Sequence, residues 1–441
     1  MKEKMHIADF LQRIAYSIRN DRRYQYYDQF KKHLSFSRIE MIDHQNELIT
    51  KIIKHAYSAT DYYREIMDEH KLKPDEIHNK EDLKKLPILT KSIVRNNIEN
   101  IKSKDNFSKG LKVVTSGGST GDQSMIFKSA FFDQISRAAF LRNNLLANWK
   151  PYDKTVWIWG APYEHQQIQA SIISRIGILI NRRLLLNAYN YSCNDFTIWI
   201  DKINRFKPRV LYGYASIILE FARYLLEHQI ELASIKTVVS TTEGLKDREI
   251  IERAFRCNVY NQYGSREMLA IAIESDRNCM RVADDFVALN VYDNNEMIIT
   301  ALYSYGFPLI NYKIGDYGEL KDNSVVQDNL PFSSLELTIG RITDNFLTIN
   351  DRIVSSSALG TYISTHNLPI MEQQIIQNDY KDFVVNFVPD KSLDISSYKQ
   401  IITSIFTEYF GPENHIQFNL VNEIPVEKSG KKLMFKRVFG Y

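Results

Sequence analysis

Residues 113–127, VVTSGGSTGDQSMIF, contain three of the 17 glycines of this 441-residue chain. The glycines fall within five positions and stand among hydroxyl side chains. Closely spaced small residues let the backbone approach a ligand and leave its N–H groups free to donate hydrogen bonds to it. The composition of this loop therefore predicts that it binds a phosphate group.

Two common phosphate-binding motifs do not fit the loop. A P-loop needs a lysine directly after its last glycine, and here Asp122 and Gln123 follow Gly121. The dinucleotide fingerprint G-x-G-x-x-G has a different spacing. For the loop taken alone, a plain Ser/Gly turn without a ligand stays open. Other parts of a nucleotide site are needed to decide between these interpretations.

Four further motifs follow the loop in a fixed order. They are QYGSRE (262–267), NYKIGDYGEL (311–320), GRITDNFLTIND (340–351) and PVEKSGKKLMFKR (425–437). With the loop, they resemble five motifs of the adenylate-forming (acyl-CoA synthetase) superfamily: the phosphate loop, Tyr-Gly-x-x-Glu, Tyr-x-x-Gly-Asp, the Gly-Arg hinge and Pro-x-x-x-Ser-Gly-Lys. One such motif is weakly specific, whereas five in order form a strong signal.

Within this superfamily the chain resembles the phenylacetate-CoA ligase branch, in particular its short members linked to capsular polysaccharide loci. The resemblance rests on residues 57–65, 212–225, 238–245 and 263–267 and covers nearly the whole chain. It implies ATP-dependent activation of a carboxylic acid as an acyl adenylate, with release of pyrophosphate. The acyl group would then pass to the thiol of coenzyme A or a carrier protein, or to an amine or hydroxyl in polysaccharide biosynthesis.

The resemblance also implies which residues bind ATP. The phosphates would contact the loop residues Thr115, Ser116, Gly117, Gly118, Ser119, Thr120 and Gly121. Tyr263, followed by Gly264 and Ser265, would pack along the adenine, with Thr242 and Glu243 on the other side of the base. Asp316 would accept hydrogen bonds from both ribose hydroxyls, and Arg341 would contact the ribose or a phosphate.

Three residues would act on the reacting groups. A carboxylate must attack the α-phosphate while pyrophosphate leaves, so positive charge must offset the charge that develops. By resemblance, Glu267 would hold Mg²⁺, a hard cation suited to carboxylate and phosphate oxygens. Lys431 would bridge the substrate carboxylate and the α-phosphate region, and Arg341 would assist. Thr343 or Asp344 would be the hinge about which the C-terminal domain moves.

An aromatic group of residues is the expected wall of the acyl pocket. Its members are Trp159, Gly160, Tyr163, His165 and Tyr214. Their character favours a small or ring-bearing acid, although such side chains are more often packing residues. For His165, a polar pocket group and a satisfied surface histidine are equally good interpretations.

Departures from the superfamily pattern keep other classes of function open. Asp122 and Gln123 stand where many members have a lysine, Asn311 replaces an arginine, and Asp351 replaces a glycine. A nucleotide-binding scaffold or regulatory homologue without full turnover is therefore one alternative. A polysaccharide- or carrier-binding module without a nucleotide site is another, supported only by the 12% aromatic content.

The elements that must position these residues form a two-part α/β chain, because 441 residues exceed one usual hydrophobic core. Residues 1–100 predict a helical lead-in, and 101–338 a nucleotide- and acyl-binding core. From about residue 154 strands alternate with amphipathic helices, which indicates βα layers with a parallel sheet. Residues from about 284 predict a distorted antiparallel β-barrel, and 341–441 a small, mobile α+β lid domain that carries Lys431.

Composition excludes several classes of partner. The formal net charge is +3 with 25% charged residues, so neither nucleic acid nor an acidic membrane is expected as the main partner. No apolar stretch reaches the ~20 residues of a membrane span. Three cysteines fit neither a disulfide framework nor a zinc motif, which favours the reducing cytoplasm. We expect a cytoplasmic monomer or homodimer.

Overall fold

The computed structural model describes residues 6–116, 124–159, 172–188, 191, 193–276, 279–292, 295–321, 329–338, 345–349, 352–354, 356–364, 366, 368–390, 393–425 and 433–439. The chain divides into two compact units. Unit 1 consists of Met1–Val114, Ser124–Tyr152 and Tyr260–Gly340. Unit 2 consists of Thr115–Gln123, Asp153–Val259 and Arg341–Tyr441.

Helices and strands occur in both units. The α-helices in the described ranges are α1 (Ile7–Ile18), α2 (Arg23–His33), α3 (Arg38–Ala59), α4 (Asp61–Glu69), α5 (Lys91–Asn96), α6 (Ile98–Ile101), α7 (Ala130–Leu146), α8 (Ile172–Ile180), α9 (Cys193–Phe206), α10 (Ala215–Glu227), α11 (Arg248–Phe255), α12 (Ser356–Ser364) and α13 (Ile395–Phe410). The strands are β1 (Lys112–Ser116), β2 (Ser124–Lys128), β3 (Thr155–Trp159), β4 (Arg183–Asn187), β5 (Val210–Tyr214), β6 (Thr237–Thr241), β7 (Val259–Tyr263), β8 (Ala272–Asp276), β9 (Cys279–Val282), β10 (Val287–Val291), β11 (Glu296–Ala301), β12 (Tyr312–Lys321), β13 (Ser334–Leu337), β14 (Phe346–Leu347), β15 (Ile353–Val354), β16 (Ile370–Gln377), β17 (Asp382–Pro389), β18 (His415–Leu420) and β19 (Phe435–Arg437).

The helical character predicted for the N-terminal hundred residues is confirmed in unit 1. Ser37 and Glu40 form a capping box at the start of α3, which satisfies backbone N–H groups that the first helical turn leaves unpaired. The predicted apolar face of α3 is buried. Thr60 ends α3 and its side chain accepts a hydrogen bond from the Tyr63 N–H, so it also begins α4.

The strands of unit 1 from residue 260 onward form an antiparallel sheet, whereas the sequence predicted antiparallel strands only from about residue 284. Their order is β10-β11-β12-β13-β9-β8-β7, and each neighbouring pair is antiparallel. A closed barrel requires its outermost strands to pair with each other. The described strands follow a linear order, so the predicted distorted barrel is not shown.

Unit 2 contains the parallel sheet that the alternation of strands and helices predicted. Its strands pair in the order β4-β3-β5-β6, all parallel, and α8 to α10 lie between successive strands in the sequence. All residues of β5 and β6 are buried, as expected for a sheet covered on both faces. Gly213 is required in β5, because a Cβ there would lie 2.7 Å from the carbonyl oxygen of Ile158.

The C-terminal part of unit 2 forms a smaller α+β layer, as predicted. Its sheet has the order β18-β17-β16-β19, and α13 packs on it through a cluster that includes Val385, Ile402 and Phe406. The domain limits 1–100, 101–338 and 341–441 and the mobility of the last domain stay predictions. None of the helices within the described ranges is long and apolar enough to cross a membrane.

Candidate functional site

Unit 1 brings together two predicted nucleotide-binding residues that are 53 positions apart. Tyr263 is the last residue of β7, and Asp316 lies within β12. The Tyr263 hydroxyl donates a hydrogen bond of 2.8 Å to Oδ2 of Asp316. Both side chains are partly exposed, so the carboxylate is held by a donor and is still reachable from solvent.

A tight turn follows Tyr263 and buries the predicted metal ligand. A Cβ on Gly264 would collide with the carbonyl oxygen of Leu269, so only glycine fits there. The Ser265 N–H donates to the Met268 carbonyl (2.8 Å), and the Met268 N–H donates to the Ser265 hydroxyl (3.1 Å). This closed turn holds Glu267 in the interior, where it is 3% exposed.

Tyr312 and Lys128 of unit 1 both act on the Glu267 carboxylate. The Tyr312 hydroxyl donates to its Oε1 at 3.4 Å. Lys128, the last residue of β2, is close enough to be influenced by the charge of Glu267. Burial lowers the pKa of Lys128 to about 8, although the negative charges of Asp133 and Glu267 oppose this shift. A lysine and a buried carboxylate therefore share one region of the unit.

The sequence interpretation did not identify Lys128. The signal that could have found it is its position: the glycine loop lacks a following lysine, and Lys128 ends the strand that comes directly after that loop. The position of Lys128 in the strand does not reveal which charged groups of unit 1 its side chain approaches. Only the folded unit shows its proximity to Glu267.

The residues around Glu267 fit a magnesium ion that arrives with a nucleotide. Mg²⁺ in nucleotide sites uses one or two carboxylates together with substrate phosphates and water. Glu267 offers one buried carboxylate of this kind. Among the described residues, no group of three or more His, Cys, Asp or Glu side chains could hold a metal ion. The buried carboxylate of Glu267 is of the kind that binds a magnesium ion whose other ligands are phosphates and water.

Asn311, which replaces the superfamily's arginine, has a structural role in unit 1. It is 1% exposed and donates from Nδ2 to the Leu86 carbonyl at 2.8 Å. Its own N–H donates to the Thr300 hydroxyl at 2.9 Å. Its φ of 53° lies in the left-handed region, which asparagine tolerates better than arginine does. The residue therefore connects the segment before α5 to the sheet.

In unit 2, the predicted pocket residues Trp159 and Tyr214 stack on each other. They end the neighbouring parallel strands β3 and β5, whose carboxyl ends meet at one edge of the sheet. Their ring centroids are 4.8 Å apart with an interplanar angle of 8°. Trp159 is partly exposed, whereas Tyr214 is buried in the core of the unit. Tyr214 therefore supports the ring of Trp159 from the core side.

The two residues predicted to line the adenine follow β6. Thr242 has a φ of 69°, a left-handed conformation that is uncommon for a residue with a branched Cβ. Glu243 accepts a hydrogen bond of 2.9 Å from the N–H of Ser216, in the first turn of α10. This contact stabilises a helix N-terminus with a negative charge. Glu243 thus has a structural partner, and its role at the base stays a prediction.

A second group in unit 2 was not found from the sequence. Glu220 on α10 is partly buried, and its Oε2 accepts a hydrogen bond of 2.7 Å from the Tyr191 hydroxyl. Its Oε1 accepts one of 3.2 Å from Nδ2 of Asn345, the residue directly after the predicted hinge pair. Burial raises the pKa of Glu220 above its usual value. No motif marked this carboxylate, because it resembles any polar position on an amphipathic helix.

Other predicted site residues lie outside the described ranges, namely Gly117, Gly118, Ser119, Thr120, Gly121, Gly160, Tyr163, His165, Arg341, Thr343, Asp344 and Lys431. Thr115 and Ser116 end β1, and the structure describes their backbone alone. Their assigned roles stay predictions.

Comparison with known proteins identifies relatives over nearly the whole length. Residues 346–437 match the family model of the CapK C-terminal domain. Protein CapK of Staphylococcus aureus is 28% identical over 416 residues, which cover 92% of this chain and 91% of CapK.

Solved structures of a 2-hydroxyisobutyryl-CoA ligase share the fold. One, in complex with 2-HIB-AMP and CoA in the thioesterification state, matches with a TM-score of 0.58 at 16% identity and covers 92% of each chain. Another, an open conformation with the same ligands, gives a TM-score of 0.53 at 14% identity and covers 90% of this chain and 91% of the ligase. The chain is thus a homologue of CapK with the fold of the adenylate-forming acyl-CoA ligases.

Proposed function

We propose that this protein activates a carboxylic acid with ATP, forming an acyl adenylate and releasing pyrophosphate, and then transfers the acyl group to an acceptor. The observation that carries the proposal is the hydrogen bond between Tyr263 and Asp316. It joins two separate sequence motifs in unit 1, and the turn after Tyr263 buries Glu267. This arrangement supports one nucleotide site built from three motif residues.

Each residue then has a role that its contacts support. Asp316, held at one oxygen by Tyr263, would accept hydrogen bonds from the ribose hydroxyls. The ring of Tyr263 would lie along the adenine. Glu267 would ligate Mg²⁺, which neutralises phosphate charge when it is bound with ATP. Lys128 would add positive charge close to that carboxylate, where the chain lacks a lysine after its glycine loop.

The acceptor is proposed from the relatives. The 2-hydroxyisobutyryl-CoA ligase is described in complex with 2-HIB-AMP and CoA, which supports the thiol of coenzyme A as the first acceptor to test. The resemblance of the sequence motifs to ligase-like members of capsular polysaccharide loci supports a sugar-linked amine or hydroxyl as the second. A thiol acceptor on a carrier protein follows the same chemistry as coenzyme A.

The test is exchange of labelled pyrophosphate into ATP in the presence of Mg²⁺ and a panel of carboxylic acids. The panel contains aromatic, short aliphatic, hydroxy and amino acids. We expect one class of acid to support exchange and Lys431→Ala to abolish most of it while ATP binding is retained, because this charge acts mainly in the transition state. Lys432→Ala is the matched control, since it removes the neighbouring charge of the same run.

The outcomes separate the candidate functions. Exchange that depends on Lys431 supports adenylation and identifies the acid class. ATP binding without exchange for any acid would favour a nucleotide-binding scaffold. If the folded protein binds no ATP at all, the nucleotide site itself is refuted and a sugar- or carrier-binding module gains support.

A further inference from the structure

Helix α1 attaches to unit 1 through its polar side. Gln12 is fully buried, and its Oε1 accepts a hydrogen bond of 2.8 Å from the Tyr24 hydroxyl of α2. Arg13 forms ion pairs with Asp9 in its own helix (2.9 Å) and with Asp28 of α2 (2.7 Å). The guanidinium group also lies 5.0 Å from the centroid of the Tyr24 ring. The contacts that locate the helix therefore include a buried hydrogen bond, ion pairs and the packing of the Tyr16 ring against Tyr24, with centroids 5.8 Å apart.

The opposite side of α1 is apolar and exposed. Ile7 is 76% exposed, Leu11 57%, Ile14 40% and Ile18 78%, and Phe10 beside them is 47% exposed. An ordinary surface helix places its apolar stripe against the core and its charges in water. Helix α1 has the reverse orientation, so the described residues leave most of its apolar stripe uncovered.

The spacing of the stripe fits another helix. The steps from Ile7 to Leu11, Ile14 and Ile18 are four, three and four residues, the repeat of a two-helix seam. The pattern reads the same from both ends. In an antiparallel pair of two identical helices, Ile7 therefore lies opposite Ile18 of the other copy, and Leu11 lies opposite Ile14. Every layer of the pair is then apolar.

The charges distinguish a second copy from a membrane surface. A helix that binds a lipid interface usually has a polar face rich in Lys and Arg. The charged residues of α1 are Asp9 and Arg13, which pair with each other on the inner side. The positions that flank the stripe, Ala8, Ala15 and Ser17, are small and uncharged. Two copies of this surface meet without repulsion between like charges.

We propose that α1 pairs with α1 of a second copy, antiparallel and about a two-fold axis, so that the protein forms a homodimer. A contact of two three-turn helices is small compared with the ~800 Å² per partner of a standard interface. The dimer should therefore dissociate on dilution. This proposal does not depend on the proposed enzymatic function.

The test is sedimentation velocity over a dilution series of the full-length protein. We expect a concentration-dependent dimer for the parent chain and monomers for Leu11→Glu and for Ile14→Lys, each measured alone. A one-to-one mixture of these two variants should restore a dimer, because residue 11 faces residue 14 across the proposed axis. Ile198→Glu is the matched control, since Ile198 on α9 is also 51% exposed, and it should remain dimeric.

Unfolding temperatures of all variants show that the folded state is kept. A parent chain that stays monomeric at every concentration would overturn the proposal, and so would a dimer that Leu11→Glu leaves intact. If a dimer forms when Leu11→Glu is mixed with Leu11→Lys, but not when Leu11→Glu is mixed with Ile14→Lys, residue 11 faces residue 11 of the other copy. This result would refute the antiparallel arrangement. If the monomeric parent co-sediments with phosphatidylglycerol vesicles and Leu11→Glu does not, a membrane surface is the partner and the dimer is wrong.

Discussion

The hydrogen bond between Tyr263 and Asp316 predicts a specific defect in nucleotide affinity. In Tyr263→Phe the ring that would pack along the adenine is kept, and only the hydroxyl that holds Oδ2 of Asp316 at 2.8 Å is removed. The carboxylate must then be ordered by the ribose at the moment of binding. We therefore expect weaker binding of ATP with little change in the maximal rate of pyrophosphate exchange, because the contact is the same in the ground and transition states.

The structure sets the size of this defect. A hydrogen bond to a charged group contributes about 1.5–3 kcal/mol when it is well formed. Both partners are partly exposed, so the lower end applies. A loss of about 1.5 kcal/mol corresponds to roughly tenfold weaker binding. We expect the Kd and KM for ATP to rise by roughly three- to tenfold, with tenfold as the upper limit.

Isothermal titration calorimetry measures the ATP affinity without knowledge of the carboxylic acid, and pyrophosphate exchange then separates KM from kcat. Tyr317→Phe is the matched control, because Tyr317 directly follows Asp316 and is 44% exposed. It should bind ATP as the parent does. An unchanged ATP affinity in a folded Tyr263→Phe variant would refute the role of this pair in the nucleotide site.

Three further changes have defined outcomes. Glu267→Gln keeps the side-chain size and removes the charge, so exchange at limiting Mg²⁺ should fall by roughly 10²-fold, measured in a magnesium titration. Arg142→Met leaves the Asp285 carboxylate buried without its guanidinium partner, and urea unfolding should show a loss of about 3–5 kcal/mol. Burial and the neighbouring His33 lower the pKa of His44 below 6.5 in the folded protein. His44 therefore binds a proton more readily in the unfolded state than in the folded state. Stability should fall as the pH decreases through 6.5, and His44→Gln should reduce that dependence in urea melts at pH 5 to 8.

Matched controls exist for each of these variants. Glu319→Gln removes an exposed carboxylate from β12 and should not change the magnesium dependence. Arg137→Met breaks an exposed pair with Asp133 on the same helix as Arg142 and should cost less than about 1 kcal/mol. His70→Gln changes an exposed histidine and should leave the acid sensitivity of unfolding as it is. If a control variant shows the same defect as the variant it is paired with, the corresponding argument is contradicted.

Much of the fold was predictable because local patterns determine it. The apolar repeat predicted α3 and its buried face, and the alternation of strands and helices predicted the parallel sheet. Whether the antiparallel strands close into a barrel could not be predicted from such local patterns. It depends on which strands form the two edges, and no local pattern encodes this.

The residue types of the candidate site and their order along the chain could be predicted from the motifs, because motif spacing is a property of the amino-acid sequence. It placed Tyr263 and Glu267 in one motif and Asp316 in another without showing that Tyr263 and Asp316 meet. The folded structure was needed to show that Tyr263 donates to Asp316, that Lys128 lies near Glu267, and that Glu243 caps a helix. These contacts depend on strand register and helix placement, which arise from the packing of segments far apart in the sequence.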